Sequence, residues 1–80
     1  MKFNYTLEIR GKEKKVSKQG NEYVMVRCED IETGRAFEIF EPNIDNYEYY
    51  KRGAVANFNF ELFQYNGNWK LRILDFQLEE

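Results

Sequence analysis

The 80-residue chain carries a net charge of −2 and is 18% aromatic, which suits one small domain spanning residues 1–80 with a core of large side chains. No apolar run is long enough to cross a bilayer, so no membrane partner is expected, and the first residues lack a signal-peptide core, which points to a cytoplasmic protein. With no histidine, one cysteine (Cys28) and one serine (Ser17), an intrachain disulfide and a Ser–His or Cys–His nucleophile pair are excluded, and neither a zinc site nor any other cofactor is expected.

The first segment alternates cleanly. Phe3, Tyr5, Leu7 and Ile9 share one face, and Asn4, Thr6, Glu8 and Arg10 share the other, which reads as a half-buried strand. Gly11 marks a bend or bulge, and the strand is expected to run on to about Val16. Ser17-Lys18-Gln19-Gly20-Asn21 is a turn by composition. A second strand follows over residues 22–30, with Val24, Val26 and Cys28 on one face and Tyr23, Met25 and Arg27 on the other. A turn at Ile31-Glu32-Thr33-Gly34 leads to a third strand over 35–41.

The register of these two strands is arguable from chemistry. With Asp30 opposite Arg35, Cys28 meets Phe37 and Val26 meets Ile39 on one face. Arg27 meets Glu38 and Met25 meets Phe40 on the other. A slip of one residue sets Arg27 against Ile39 and Cys28 against Glu38, which is worse on both faces.

Pro42 ends the third strand because it cannot donate to a ladder. Asn43 or Asp45 suits the cap of a short helix running to Tyr49 or Tyr50, and Gly53 suits its stop. One or two of Tyr47, Tyr49 and Tyr50 are expected to plug the bottom of a barrel, and the surplus leaves room for an oligomer contact. The fourth strand covers 54–65, with Ala54, Ala56, Phe58, Phe60 and Leu62 alternating against Val55, Asn57, Asn59, Glu61 and Phe63. Asn66-Gly67-Asn68 is a strong hairpin turn. The last strand covers 69–78, with Leu71 and Ile73 inward. Parity then shifts to Leu74, Phe76 and Leu78, which calls for a bulge or for a strand leaving the barrel.

Three meandering strands, a helix and a two-strand hairpin make an all-β chain. The expected architecture is a five-stranded OB-fold-like Greek-key barrel with the helix between strands 3 and 4. An SH3-like barrel is the alternative for so short a chain, but it usually lacks that helix. Three motifs extend the topology into a resemblance. Lys51-Arg52-Gly53-Ala54-Val55 opens the fourth strand, Ser17 to Tyr23 forms a polar Gly turn followed by an aromatic, and Glu29-Asp30 leads into Glu32-Thr33-Gly34. Together they resemble compact OB-fold single-stranded-DNA-binding proteins of the phage and mobile-element type. The resemblance covers nearly the whole chain, and departs at Ala54, where many such proteins carry Asp.

The resemblance implies sequence-tolerant binding of single-stranded DNA, to protect or present a strand in replication, recombination or transfer, and RNA is the alternative nucleic acid for the same surface. Such binding needs π faces for bases and cations for phosphates. Tyr23, Met25, Arg27 and Phe40 on the outer face of strands two and three meet that need. Lys12, Lys14, Lys15 and Lys18 on the first hairpin form an electrostatic arm in a stretch where seven basic residues face three acidic ones over 1–28, against five and eleven in the remainder. Tyr65, Trp69, Lys70 and Arg72 form the other flank.

Each assignment has a plainer counterpart. Tyr23, Met25 and Phe40 can pack under a loop or in a dimer interface, Arg27 can simply pair with Glu38, the lysines can solvate a hairpin, and Trp69 can cap the core. The competing function is therefore a protein–protein interaction module on an OB-like or SH3-like barrel, with a homodimer or another protein as partner. Cold-shock-type RNA binding fits less well, because strands two and three lack closely spaced aromatics. The acids Glu29, Asp30 and Glu32 flank an exposed turn and read as solvated residues rather than a catalytic pair.

Overall fold

The computed structural model describes residues 2–79, so Met1 and Glu80 lie outside the described residues. The order is β1 (Lys2–Val16), β2 (Glu22–Glu29), β3 (Ala36–Glu41), a 3₁₀ helix (Ile44–Tyr49), β4 (Val55–Tyr65) and β5 (Asn68–Leu78). The strands close into a barrel in the order β1-β2-β3-β5-β4, the five-stranded architecture expected from the chain order. β1 spans the closure by pairing antiparallel with both β2 and β4. The seam is a parallel contact of β3 with β5 at Phe40 and Arg72.

The β2–β3 register is the one that pairing chemistry demands. Cys28 lies opposite Phe37, Val26 opposite Ile39, Arg27 opposite Glu38 and Met25 opposite Phe40. The Asp30 amide donates to the Arg35 carbonyl at 2.8 Å and closes the turn.

Two bulges let long strands follow the curve of a small barrel. In β1, Ile9 faces Cys28 and Gly11 faces Arg27, so Arg10 is the extra residue. In β5, Ile73 faces Phe60 and Asp75 faces Asn59, so Leu74 is the extra residue. The second bulge explains the parity shift after Ile73: Phe76 and Leu78 return to the face of Phe58 and Ala56.

The core gathers Leu7, Ile9, Val24, Val26, Cys28, Ile39, Ala56, Phe58, Phe60 and Ile73, with Tyr50 from beyond the helix. Burial pushes the Cys28 thiol up to about 12, which leaves it protonated at neutral pH and chemically inert in the folded chain.

One end of the barrel is closed by the 3₁₀ helix. Asn43 caps it, its side-chain oxygen accepting from the Asp45 amide at 3.0 Å. The backbone bonds are the short i+3 kind, such as Asn46 to Asn43 at 3.1 Å. Tyr50 is fully buried, its ring 4.7 Å from that of Phe76, while Tyr47 packs partly against the core and Tyr49 stays exposed. Glu41, only 2% exposed, anchors the helix. Its carboxylate accepts from the Tyr50 hydroxyl at 2.5 Å, from Asn46 Nδ2 at 2.7 Å and from the Asn43 amide at 3.3 Å. Burial first, and the bond to Glu41 second, push the Tyr50 hydroxyl up, so it remains a donor.

Tyr50→Phe therefore leaves a buried carboxylate one donor short. We expect a loss of about 1–3 kcal/mol in unfolding free energy, measured by urea denaturation. A stability equal to that of the parent chain would show that the hydroxyl contributes nothing.

Candidate nucleic-acid interface

The outer face of β2 and β3 carries the residues that alternation puts opposite the core. Tyr23 and Phe40 pack against each other there, ring centroids 5.0 Å apart and tilted by 44°. Both are half-buried. Met25 lies opposite Phe40 in the register, beside the same rings.

Barrel closure extends this pair into a band. Phe40 bridges to Arg72 of β5, and Arg72 lies opposite Glu61 of β4. That places Phe63, two residues on from Glu61, beside Phe40, with the ring centroids 6.3 Å apart. The Arg72 guanidinium stands 4.8 Å over the Phe63 ring, a cation–π arrangement. Tyr65 follows Phe63 on the same face of β4, 60% exposed, and Lys70 lies opposite Phe63. The result is a run of rings, Tyr23–Phe40–Phe63, with Tyr65 beyond it and cations at its margins.

Phe63 was absent from the sequence-based set. Alternation along β4 places it on the outer face, but only the β3–β5 seam brings that face next to Phe40.

The remaining candidates divide. Lys15 lies opposite Tyr23 and borders the band, and Lys18 is exposed in the adjoining turn. Lys12 and Lys14 do not join them. The bulge at Arg10 reverses the parity of β1, so these two lie opposite Val26 and Val24, on the core side of the sheet where the helix closes the barrel. Lys12 Nζ donates to the Tyr47 carbonyl at 2.8 Å and sits 4.0 Å from the Tyr47 ring centroid, and Lys14 Nζ sits at 4.6 Å. The four lysines thus form no single arm.

Arg27 lies on the outer face with Glu38 at 3.8 Å. Trp69 is 63% exposed and opposite Gln64. Its parity in β5 is opposite to that of Lys70 and Arg72, which keeps it off the ring band, and its exposure shows that it does not cap the core.

Where β4 pairs with β1, at Asn57 and Asn59, the outer face has a different character. Asn4 donates to the side chains of Asn57 and Asn59 at 2.8 and 2.7 Å, Asn57 donates to Thr6 at 3.0 Å, and Asn59 donates to Asp75 at 2.5 Å. These amides satisfy one another and present no ring, so on β4 the stacking chemistry begins farther along the strand, at Phe63 and Tyr65. Among the described residues, no group of acids and cysteine is placed to hold a metal ion.

No family model matches the chain, and no curated protein matches it. Among solved structures, two crystal structures of mitochondrial single-stranded DNA-binding protein from S. cerevisiae are similar in fold. One, of the selenomethionine-labelled protein, aligns with a TM-score of 0.81 at 13% identity over 100% of this chain and 94% of that one. The other aligns at 0.78 and 20% identity over 96% and 91%. At such identities the likeness is one of fold.

Proposed function

We propose that this barrel binds single-stranded DNA, with little dependence on sequence, along the outer face of β2 and β3 continued by β5 and β4. The observation that carries the proposal is the Tyr23–Phe40–Phe63 ring band with Arg72 over its last ring. Bases of any identity offer a π face to such a band, and the neighbouring cations meet the backbone. The fold likeness to single-stranded DNA-binding protein supports this reading. In a cell the activity would protect or present a strand during replication, recombination or transfer, as in the compact proteins of phages and mobile elements.

Five cations border the band: Lys15, Lys18, Arg27, Lys70 and Arg72. If all five met phosphates, affinity would fall with salt at a log–log slope of about −3.5, since each contact on a single strand contributes about 0.7. The test is the anisotropy of a fluorescently labelled oligo-dT titrated with protein at low and high salt. A label on the DNA is preferable to Trp69 emission, because Trp69 lies off the band. Salt-sensitive binding that oligo-dT and mixed-sequence oligomers share is the expected result, with oligo-U reporting whether RNA is accepted. Absence of binding at low salt would sink the reading.

A protein-contact reading has its own observation. An apolar groove opens at the barrel end away from the helix, bordered by Tyr5, Phe37, Leu62 and Leu71, and Tyr5 and Phe37 are both exposed. This reading takes over if DNA does not bind while Tyr5→Ser or Phe37→Ser changes the oligomeric state in sedimentation.

A further inference from the structure

The arginines on the aromatic face already have partners. Arg72 donates to the Glu61 carboxylate across the β4–β5 pair while its guanidinium covers Phe63. Arg27 stands 3.8 Å from the Glu38 carboxylate across β2–β3. Glu61 also lies opposite Lys2 in the β1–β4 register. Arg72 chiefly, with a smaller contribution from Lys2, holds the Glu61 carboxyl below the usual carboxylate range, so it stays ionised near neutrality.

A carboxylate offers a guanidinium the same anionic oxygen pair that a phosphodiester offers. We propose that Glu61 and Glu38 are built-in competitors for the phosphates of a bound strand. A phosphate that draws either arginine toward the strand does so at the expense of its carboxylate. The inference rests on the strand-binding reading of this face and adds what limits its affinity.

Two consequences follow physically. Breaking an exposed ion pair weakens strand binding by roughly the worth of that pair. Salt weakens the pair in the free protein as well as the phosphate contact in the complex, so the two effects partly cancel. The parent chain should therefore show a shallower salt slope than its cations alone would give, and removing a carboxylate should steepen it.

Glu13 is an internal control. It lies on the same face, opposite Met25, and forms no ion pair among the described residues. Its neutralisation reports the general effect of removing one negative charge beside the strand.

The experiment titrates labelled oligo-dT with the full chain and with Glu61→Gln, Glu38→Gln, Glu13→Gln and the double variant Glu61→Gln/Arg72→Ala, each at several salt concentrations. Thermal melts confirm that all are folded. Glu61→Gln and Glu38→Gln should each bind about three- to fivefold more tightly at low salt, with slopes steeper by about 0.7. Glu13→Gln should change affinity by less than about 1.5-fold and leave the slope alone, since an unpaired surface acid acts only through screened solvent. The double variant should lose the gain. Equal effects from Glu13→Gln and the paired acids, or an unchanged slope in Glu61→Gln and Glu38→Gln, would overturn the inference while leaving the strand-binding reading intact. Absence of binding by the parent chain and every variant would remove the reading itself, and the inference with it.

Discussion

Phe40→Ala should weaken oligo-dT binding by about 1–3 kcal/mol, or roughly five- to 150-fold, the usual worth of one base–aromatic stack. Phe40 is the middle ring of the band, 5.0 Å from Tyr23 and 6.3 Å from Phe63. Its loss removes one platform and also separates the other two. The ring lies outside the barrel and is half-buried, so the cost in stability should be smaller than that of truncating a core phenylalanine, which is about 3–5 kcal/mol.

Phe40→Leu separates the two roles. Leucine retains much of the apolar contact with Met25 and Tyr23 but has no π face, so affinity should fall while the melting temperature holds. Anisotropy titrations and thermal melts on the same preparations supply both readings. If Phe40→Ala binds as tightly as the parent chain, the strand runs elsewhere on the molecule.

The second large effect is on folding. Glu41→Ala should destabilise the chain by about 2–4 kcal/mol, because it strands a buried hydroxyl and other donors at once. The Tyr50 hydroxyl, Asn46 Nδ2 and the Asn43 amide all donate to this carboxylate. Tyr50 is fully buried, so no water replaces the lost acceptor without opening the end of the barrel. The helix that closes this end is only six residues long and has little intrinsic stability, since short helices depend on tertiary anchorage.

Glu41→Gln keeps one carbonyl acceptor and should cost less than the alanine variant. Urea unfolding of the two variants beside the parent decides the matter. A Glu41→Ala chain within about 0.5 kcal/mol of the parent, the usual range for an inconsequential surface change, would show that the network adds no stability.

Much of this architecture is written locally. Period-two alternation assigns nearly every strand residue to a face, and the β2–β3 register follows from setting apolar against apolar and Arg27 against Glu38. Short polar side chains made Asn43 and Asp45 legible as candidate caps, of which Asn43 is the one used, and the break in parity after Ile73 called for a bulge or a departing strand, of which the bulge at Leu74 is the one formed. Tyr23, Met25, Arg27 and Phe40 were legible as one outward face for the same reason, since side chains two residues apart on a strand must share a side.

What sequence reasoning missed lies at contacts between residues far apart in the chain. Alternation sets Glu38 on the outer face and Glu41 on the core side with Ile39, but it gives no reason to bury an acid; Glu41 is sealed beneath Tyr50 because the folded helix supplies donors enough to bury a carboxylate. The placement of Lys12 and Lys14 turned on a single extra residue at Arg10, which reverses side-chain direction for the rest of β1.

The amino-acid order by itself determined the strands, their faces apart from the end of β1 beyond its bulge, the turns and the pairing of the second hairpin, because those depend on neighbours within a few residues or across one tight turn. Only the tertiary structure decided that β5 lies against β3, and so that Phe63 and Arg72 complete the band begun by Tyr23 and Phe40. Closing a barrel pairs strands about thirty residues apart, and that choice rests on the summed burial of the whole core rather than on any local pattern.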